Sequence, residues 1–106
     1  MLEKKVNEII KELNHKFKEN FQDFKGCYLY GSMVKGNYSK DSDIDIVAIF
    51  DAVNWDKTFE ISGIICDLMN KYDIYVDLHP YTLDELKRNP VYYDEVVNKG
   101  QFYDAA

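Results

Sequence analysis

The chain has no run of Lys or Arg long enough to form a basic stripe, and its formal net charge is −6 over 106 residues. Nucleic-acid binders draw much of their affinity from phosphate neutralisation. Direct nucleic-acid binding is therefore not expected unless a second chain supplies the charge. Cysteine is scarce: Cys27 and Cys66 each lie inside an apolar stretch and form no C-x-x-C pair. Both are expected to be reduced core residues, which excludes a disulfide framework and a zinc site. No stretch is apolar for long enough to span a bilayer, and the opening MLEKKVNEII is amphipathic where a signal peptide would be continuously apolar. The expected location is the cytoplasm, with no membrane partner. Internal repeats, low-complexity stretches and linker-like composition are missing as well. Residues 1–106 leave room for one core, so a single domain is expected.

What is present is enough to fold. Hydrophobic residues make up 46% of the chain and aromatics 15%, too many for a disordered segment. Leu2, Val6, Ile9, Ile10, Leu13 and Phe17 recur at helical spacing between Lys and Glu residues, which predicts an amphipathic helix to about Phe21. CYLYGS reads as a strand ending in a sharp turn, the stretch from Met33 to Ser42 as a loop or short helical turn, and IDIVAIF as the strongest strand. Trp55, Phe59, Ser62, Ile65, Met69 and Tyr72 predict a second long helix from near Asn54 to about Lys71. DIYVDLH predicts a third strand. Thr82 followed by Glu85 is a capping-box pattern, and Asn89-Pro90 ends that short helix and opens another, which Gly100 closes. The order is helix, strand, turn, strand, helix, strand, helical tail: an α/β or α+β domain whose small, mixed sheet is flanked by helices.

The chemistry concentrates in YGSMVKGNYSKDSDIDIVAIF, residues 30–50. Gly31-Ser32 leaves one strand, and ten residues later Asp43 and Asp45 open the next. Residues two apart on a strand share a face, so these carboxylates point one way. At about 5 Å and an effective dielectric near 20 they repel by roughly 3 kcal/mol, which cations between them would relieve. In IYVDLH, Tyr75, Asp77 and His79 share one face, and Ile74, Val76 and Leu78 the other. If that strand neighbours the Asp43–Asp45 strand, Asp77 completes a three-carboxylate site. All-oxygen ligation suits Mg²⁺ or Mn²⁺, and two ions about 4 Å apart would clamp the attacking and leaving oxygens of a phosphoryl transfer. Glycine at position 31 lets backbone approach a phosphate, and the Ser32 hydroxyl can donate to it.

Two rival motifs fail on their own spacing. D-S-D-I-D imitates the start of an EF-hand loop, but Ile46 and Ala52 stand where Gly and Glu are required. Gly31 and Gly36 have P-loop spacing, but Asn37-Tyr38 follows in place of Lys and Ser or Thr.

Gly31-Ser32, ten intervening residues and Asp43-x-Asp45, with the inner Gly36 and with Ser42 before the first acid, resemble the signature of the DNA polymerase β-like nucleotidyltransferase superfamily. The short length and element order are similar to its minimal nucleotidyltransferase (MNT) branch, and NPVYYDEVVNKGQFYDA resembles the tail of those proteins. The resemblance implies the polymerase β-like nucleotidyltransferase fold, with Asp43 and Asp45 binding both metals. It implies that Asp77 binds the catalytic metal and acts as base, and that Gly31 and Ser32 hold the triphosphate of an ATP substrate. MNT proteins are often paired with a HEPN-domain RNase toxin, and some modify a tyrosine of it. The resemblance therefore implies an antitoxin that moves AMP from ATP to a HEPN partner. The alternatives are a module that neutralises its partner by stoichiometric masking, and a small-molecule transferase of the aminoglycoside type, for which no substrate domain is in sight.

Several residues keep two readings. His79 is a substrate contact or a structural residue at the sheet end. Lys35 and Lys40 contact nucleotide or serve solubility. Trp55 is core or a stacking platform, and Tyr92-Tyr93 a partner surface or tail packing. His15 is expected in solvent, and Asp41 is given no role. Val47 and Ile49 continue the acid-bearing face, so the tail after Pro90 or another protein must cover them.

Overall fold

A computed structural model describes residues 2–39 and 41–105, with the side chain of Leu2 excepted. Lys40 and the Leu2 side chain therefore lie outside the described residues. The periodic apolar stripe of the N-terminal segment forms helix α1, Leu2–Asn20, and buries Val6, Ile9, Ile10, Leu13 and Phe17. Strand β1, Gly26–Tyr30, leads through Gly31 into a single helical turn, α2, Ser32–Lys35. Strand β2 is Ile44–Ile49 and helix α3 is Trp55–Tyr72, capped by the Asn54 side chain accepting from the Lys57 N–H. Strand β3, Val76–Tyr81, is followed by α4, Leu83–Lys87, by α5, Pro90–Tyr93, by a π-helical turn, Asp94–Asn98, and by strand β4, Gln101–Asp104.

The four strands form one mixed sheet in the order β3-β2-β1-β4. β2 and β3 run parallel, while β1 is antiparallel to both β2 and β4. The mixed sheet flanked by helices is the architecture expected from the sequence. Pro80 sits in β3, an edge strand, where the missing N–H leaves no rung of a central ladder unpaired.

Two apolar layers cover the sheet. On one face α1 and α3 pack Phe17, Ile61, Ile65 and Leu68 against Ile44, Ile46, Ala48 and Val76. On the other face Leu86 of α4 and Val96 of the π-helical turn seal Val47 and Ile49. The tail thus supplies the cover that those two residues require. The Thr82–Glu85 capping box forms as its spacing predicts: the Thr82 hydroxyl accepts from the Glu85 N–H at 3.1 Å, and the Glu85 carboxylate from the Thr82 N–H at 3.0 Å. Thr82→Ala is expected to cost about 1 kcal/mol and lower the melting temperature by roughly 4–8 °C. An unchanged calorimetric transition would show that α4 frays without unfolding the rest.

Three expectations are corrected. The tail is not wholly helical, because Gln101–Asp104 pairs with β1 as a fourth strand. Four residues whose pairing partner lies far back in the chain carry too little periodicity to read as a strand. The Asn14 side-chain amide fastens that strand to α1 by donating to the Asp104 carbonyl at 3.2 Å. Cys27 is buried with its thiol pushed up to about 12 by desolvation, but Cys66 faces outward and is not a core residue. Trp55 and Phe59 are also outside the core, at 86% and 81% exposure. The denser stripe of Ile61, Ile65 and Leu68 captures the buried side of α3, and it lies roughly a quarter to a half turn from Trp55 and Phe59. Among the described residues no helix is long and apolar enough to cross a membrane.

Candidate active site

Sheet register places one row of side chains at the end where β1 stops and β2 begins. Tyr30 is opposite Asp45, and Asp45 is opposite Asp77. Directly opposed residues project from the same face, so phenol, carboxylate and carboxylate stand in line on three neighbouring strands spaced about 4.8 Å apart. The alternation predicted for β3 holds: Val76 is buried and Leu78 packs against the helical layer, while Asp77 is half-buried on the opposite side. Asp43 lies just before β2, exposed at the open end of the row.

The turn after β1 touches the central acid. Gly31 has φ 78° and ψ −149°, a conformation available to glycine and strained for other residues. A methyl group in place of its hydrogen would come within 2.5 Å of Asp45 Oδ2. The carboxylate therefore rests over the bare Cα. Beyond it, the N–H groups of Val34 and Lys35 both donate to the Gly31 carbonyl at 3.1 Å, and Gly36 (φ 81°) ends α2 after one turn. Ser32 opens that turn, half-buried.

The Asp45 carboxylate has no hydrogen-bonding partner among the described residues, and its pKa is held above the usual range. Burial is the leading cause, followed by the charges of Asp77 and then Asp43, with His79 partly offsetting them. All three acids thus share one electrostatic field. They do not close into a cage: among the described residues no group of three or more His, Cys, Asp or Glu side chains is set to hold an ion unaided. Asp77 Oδ1 instead lies 3.0 Å from His79 Nε2. An acid with no protein partner, beside two others and open on one side, suits a hard divalent ion that takes part of its shell from water and substrate phosphates.

Sequence reasoning missed the wall beside the acids. The Tyr30 and Tyr92 hydroxyls are 2.7 Å apart, their rings meet edge to face at 5.7 Å, and the Tyr81 ring lies 5.9 Å from that of Tyr92. Burial, the Tyr92 hydrogen bond and the nearby Asp45 and Asp77 push the Tyr30 phenol far above the ordinary tyrosine range. The alternation of Tyr28 and Tyr30 puts Tyr30 on the acid face. Tyr92 reaches it from α5, a helix that Asn89-Pro90 announces but whose contact with Tyr30 no local pattern shows. His15 is exposed beside Glu19, as expected, and Asp41 is exposed outside the row.

The family model of the nucleotidyltransferase domain matches residues 6–103, a span that includes the glycine-serine turn and all three acids. The chain belongs to the nucleotidyltransferase domain family. Among solved structures, this nucleotidyltransferase domain is similar to a chain of a mutant toxin–antitoxin MntA–HpeT complex, at 27% identity and TM-score 0.61, over 92% of this chain and 70% of that one. It is similar at 26% identity and TM-score 0.59, over 96% and 71% of the two chains, to a chain of the Shewanella oneidensis complex of a tri-AMPylated HEPN toxin with its MNT antitoxin. A toxin–antitoxin structure with AMP-PNP, at 24% identity and TM-score 0.61 over 96% and 72%, shares the fold. No curated protein matches the chain.

Proposed function

We propose that this nucleotidyltransferase moves AMP from ATP to a hydroxyl group on a protein partner, a tyrosine of a HEPN-type toxin, and acts in the cytoplasm as its antitoxin. The observation that carries the reading is the Asp45–Asp77 row set against the Gly31 turn. The two complexes at 26–27% identity, one of which holds an AMPylated HEPN toxin, support this choice of partner.

In this reading Gly31 and Ser32 seat the triphosphate. Asp43 and Asp45 would hold two divalent ions, Mg²⁺ or Mn²⁺, and Asp77 would bind the catalytic one. Bound there, the ions would neutralise charge on the triphosphate and on the attacking oxygen. In this reading Asp77 accepts the proton of the incoming hydroxyl and His79 steadies its carboxylate; its half-exposed position on the edge strand and the 3.0 Å His79 contact support the assignment. The acceptor oxygen attacks the α-phosphorus in line, the new O–P bond forms, and the bond to pyrophosphate breaks. The chain's contribution is positioning and charge placement.

Incubation with Mg²⁺, α-labelled ATP and the HEPN partner is expected to label the partner, and the double variant Asp43→Asn/Asp45→Asn to leave it unlabelled. No label with any of the four ribonucleotides, from folded protein, would overturn the transferase reading. One observation favours masking as a second reading: Trp55 and Phe59, one helical turn apart on α3, offer an exposed aromatic pair for association. If masking suffices, Asp43→Asn still neutralises the partner.

A further inference from the structure

Lys35 ends α2, one turn beyond Gly31-Ser32, and its Nζ lies 2.5 Å from Glu95 Oε1. Glu95 belongs to the π-helical turn whose next residue, Val96, is buried against Val47 and Ile49 on the acid-bearing face. The ion pair therefore draws the Lys35 ammonium to the same side of the sheet as Asp45 and Asp77. We propose that Glu95 competes with the triphosphate for Lys35 and holds that lysine in reserve, so that the C-terminal tail sets the nucleotide affinity of the site. The proposal rests on the nucleotide-site reading above, takes the nucleotide-contacting reading of Lys35, and adds a competitor for that residue.

Four features of the geometry support the exchange. The Lys35 side chain is half exposed, and a lysine stem is flexible enough to redirect its ammonium without moving α2. Glu95 has a second cation in reach, Lys99 Nζ at 3.9 Å, so it is not left bare when Lys35 departs. The tail is anchored independently, by the Tyr30–Tyr92 hydroxyl contact and by Gly100, where a Cβ would come within 2.8 Å of the Leu29 carbonyl oxygen of β1. It can therefore stay in place while Lys35 swings. Other paired lysines are committed away from the Gly31 turn: Lys57 to Asp23 at 2.6 Å, Lys71 to Glu12 at 2.8 Å and Lys25 to Asp51 at 3.3 Å.

The balance favours exchange once nucleotide arrives. A half-exposed ion pair is worth little in water, whereas a triphosphate presents several negative charges to the same ammonium. Breaking the pair should lower apparent affinity by roughly two- to five-fold, and removing Glu95 should restore that factor.

The test is calorimetric titration with AMP-PNP and Mg²⁺ of the wild type, Glu95→Gln, Lys35→Gln, the double variant and, as a control for the second cation, Lys99→Gln. Circular dichroism would confirm that each is folded. Glu95→Gln is expected to tighten Kd about two- to five-fold and Lys35→Gln to weaken it about five- to ten-fold. The double variant should match Lys35→Gln, and Lys99→Gln, which leaves Glu95 without its second cation once Lys35 departs, should weaken Kd by less than Lys35→Gln does. An unchanged or weaker Kd in Glu95→Gln, or a tightening that survives without Lys35, would overturn the inference while leaving the nucleotide site standing. Folded protein that binds no AMP-PNP in any version, wild type included, would overturn the site reading and the inference with it.

Discussion

In the Asp45→Asn protein, nucleotide transfer is expected to fall by at least about 10³-fold while the melting temperature of the metal-free protein rises by about 2–4 °C. The two effects have one cause. Asp45 is the central acid of the row, opposite Asp77 and unpaired among the described residues, and its carboxyl is held above the usual range first by burial and then by Asp77 and Asp43. An acid that binds its proton more tightly in the folded state makes folding less favourable as it ionises. Its contribution therefore falls as pH rises from the unfolded value near 4 through the raised folded value, and stays low above it. Asparagine has no such ionisation, so the difference in melting temperature should open above about pH 4 and level off towards neutrality. Differential scanning calorimetry in chelator across that range would measure it. A fall of several degrees in the variant would make Asp45 a structural carboxylate and remove the basis for a cation site.

Gly31→Ala should be damaging for a geometric reason. At φ 78° and ψ −149° a side chain costs roughly 1–3 kcal/mol before it touches anything. Here the added methyl would also sit 2.5 Å from Asp45 Oδ2, so the carboxylate must move. We expect a melting temperature lower by roughly 5–15 °C and transfer reduced at least about 100-fold, since a displacement near 1 Å at a reacting centre costs on that order. Gly36→Ala is the matched control. Its φ of 81° carries a similar backbone penalty, but a Cβ there meets nothing within 4 Å. It should lose stability and keep most of its activity. Equal activity in the two variants would show that the contact between turn and acid has no part in catalysis.

How much of this was open to the sequence varies residue by residue. The alternation of Tyr75, Asp77 and His79 with Ile74, Val76 and Leu78 fixed which side of β3 is polar, because the pleat has a period of two. The Thr82–Glu85 pair announced its helix because a capping box needs only four consecutive residues. Tyr92 and Glu95 were opaque, since their partners Tyr30 and Lys35 lie some sixty residues earlier. Trp55 misled because α3 carries two apolar stripes, and local periodicity cannot say which of them meets the sheet.

By itself the sequence determined the elements and the residues available for chemistry: a glycine-serine turn, three aspartates on strand ends, and a sheet face that had to be covered. Those are short-range matters, settled by dihedral preference, side-chain alternation and caps. Only the tertiary structure decided that β3 lies parallel beside β2, bringing Asp77 opposite Asp45, and that Gln101–Asp104 returns to pair with β1. It alone set Tyr92 against Tyr30 on the acid face and brought Glu95 to Lys35. Pairing and docking of this kind depend on burying apolar surface between segments distant in the chain, a term that no local pattern of residues encodes.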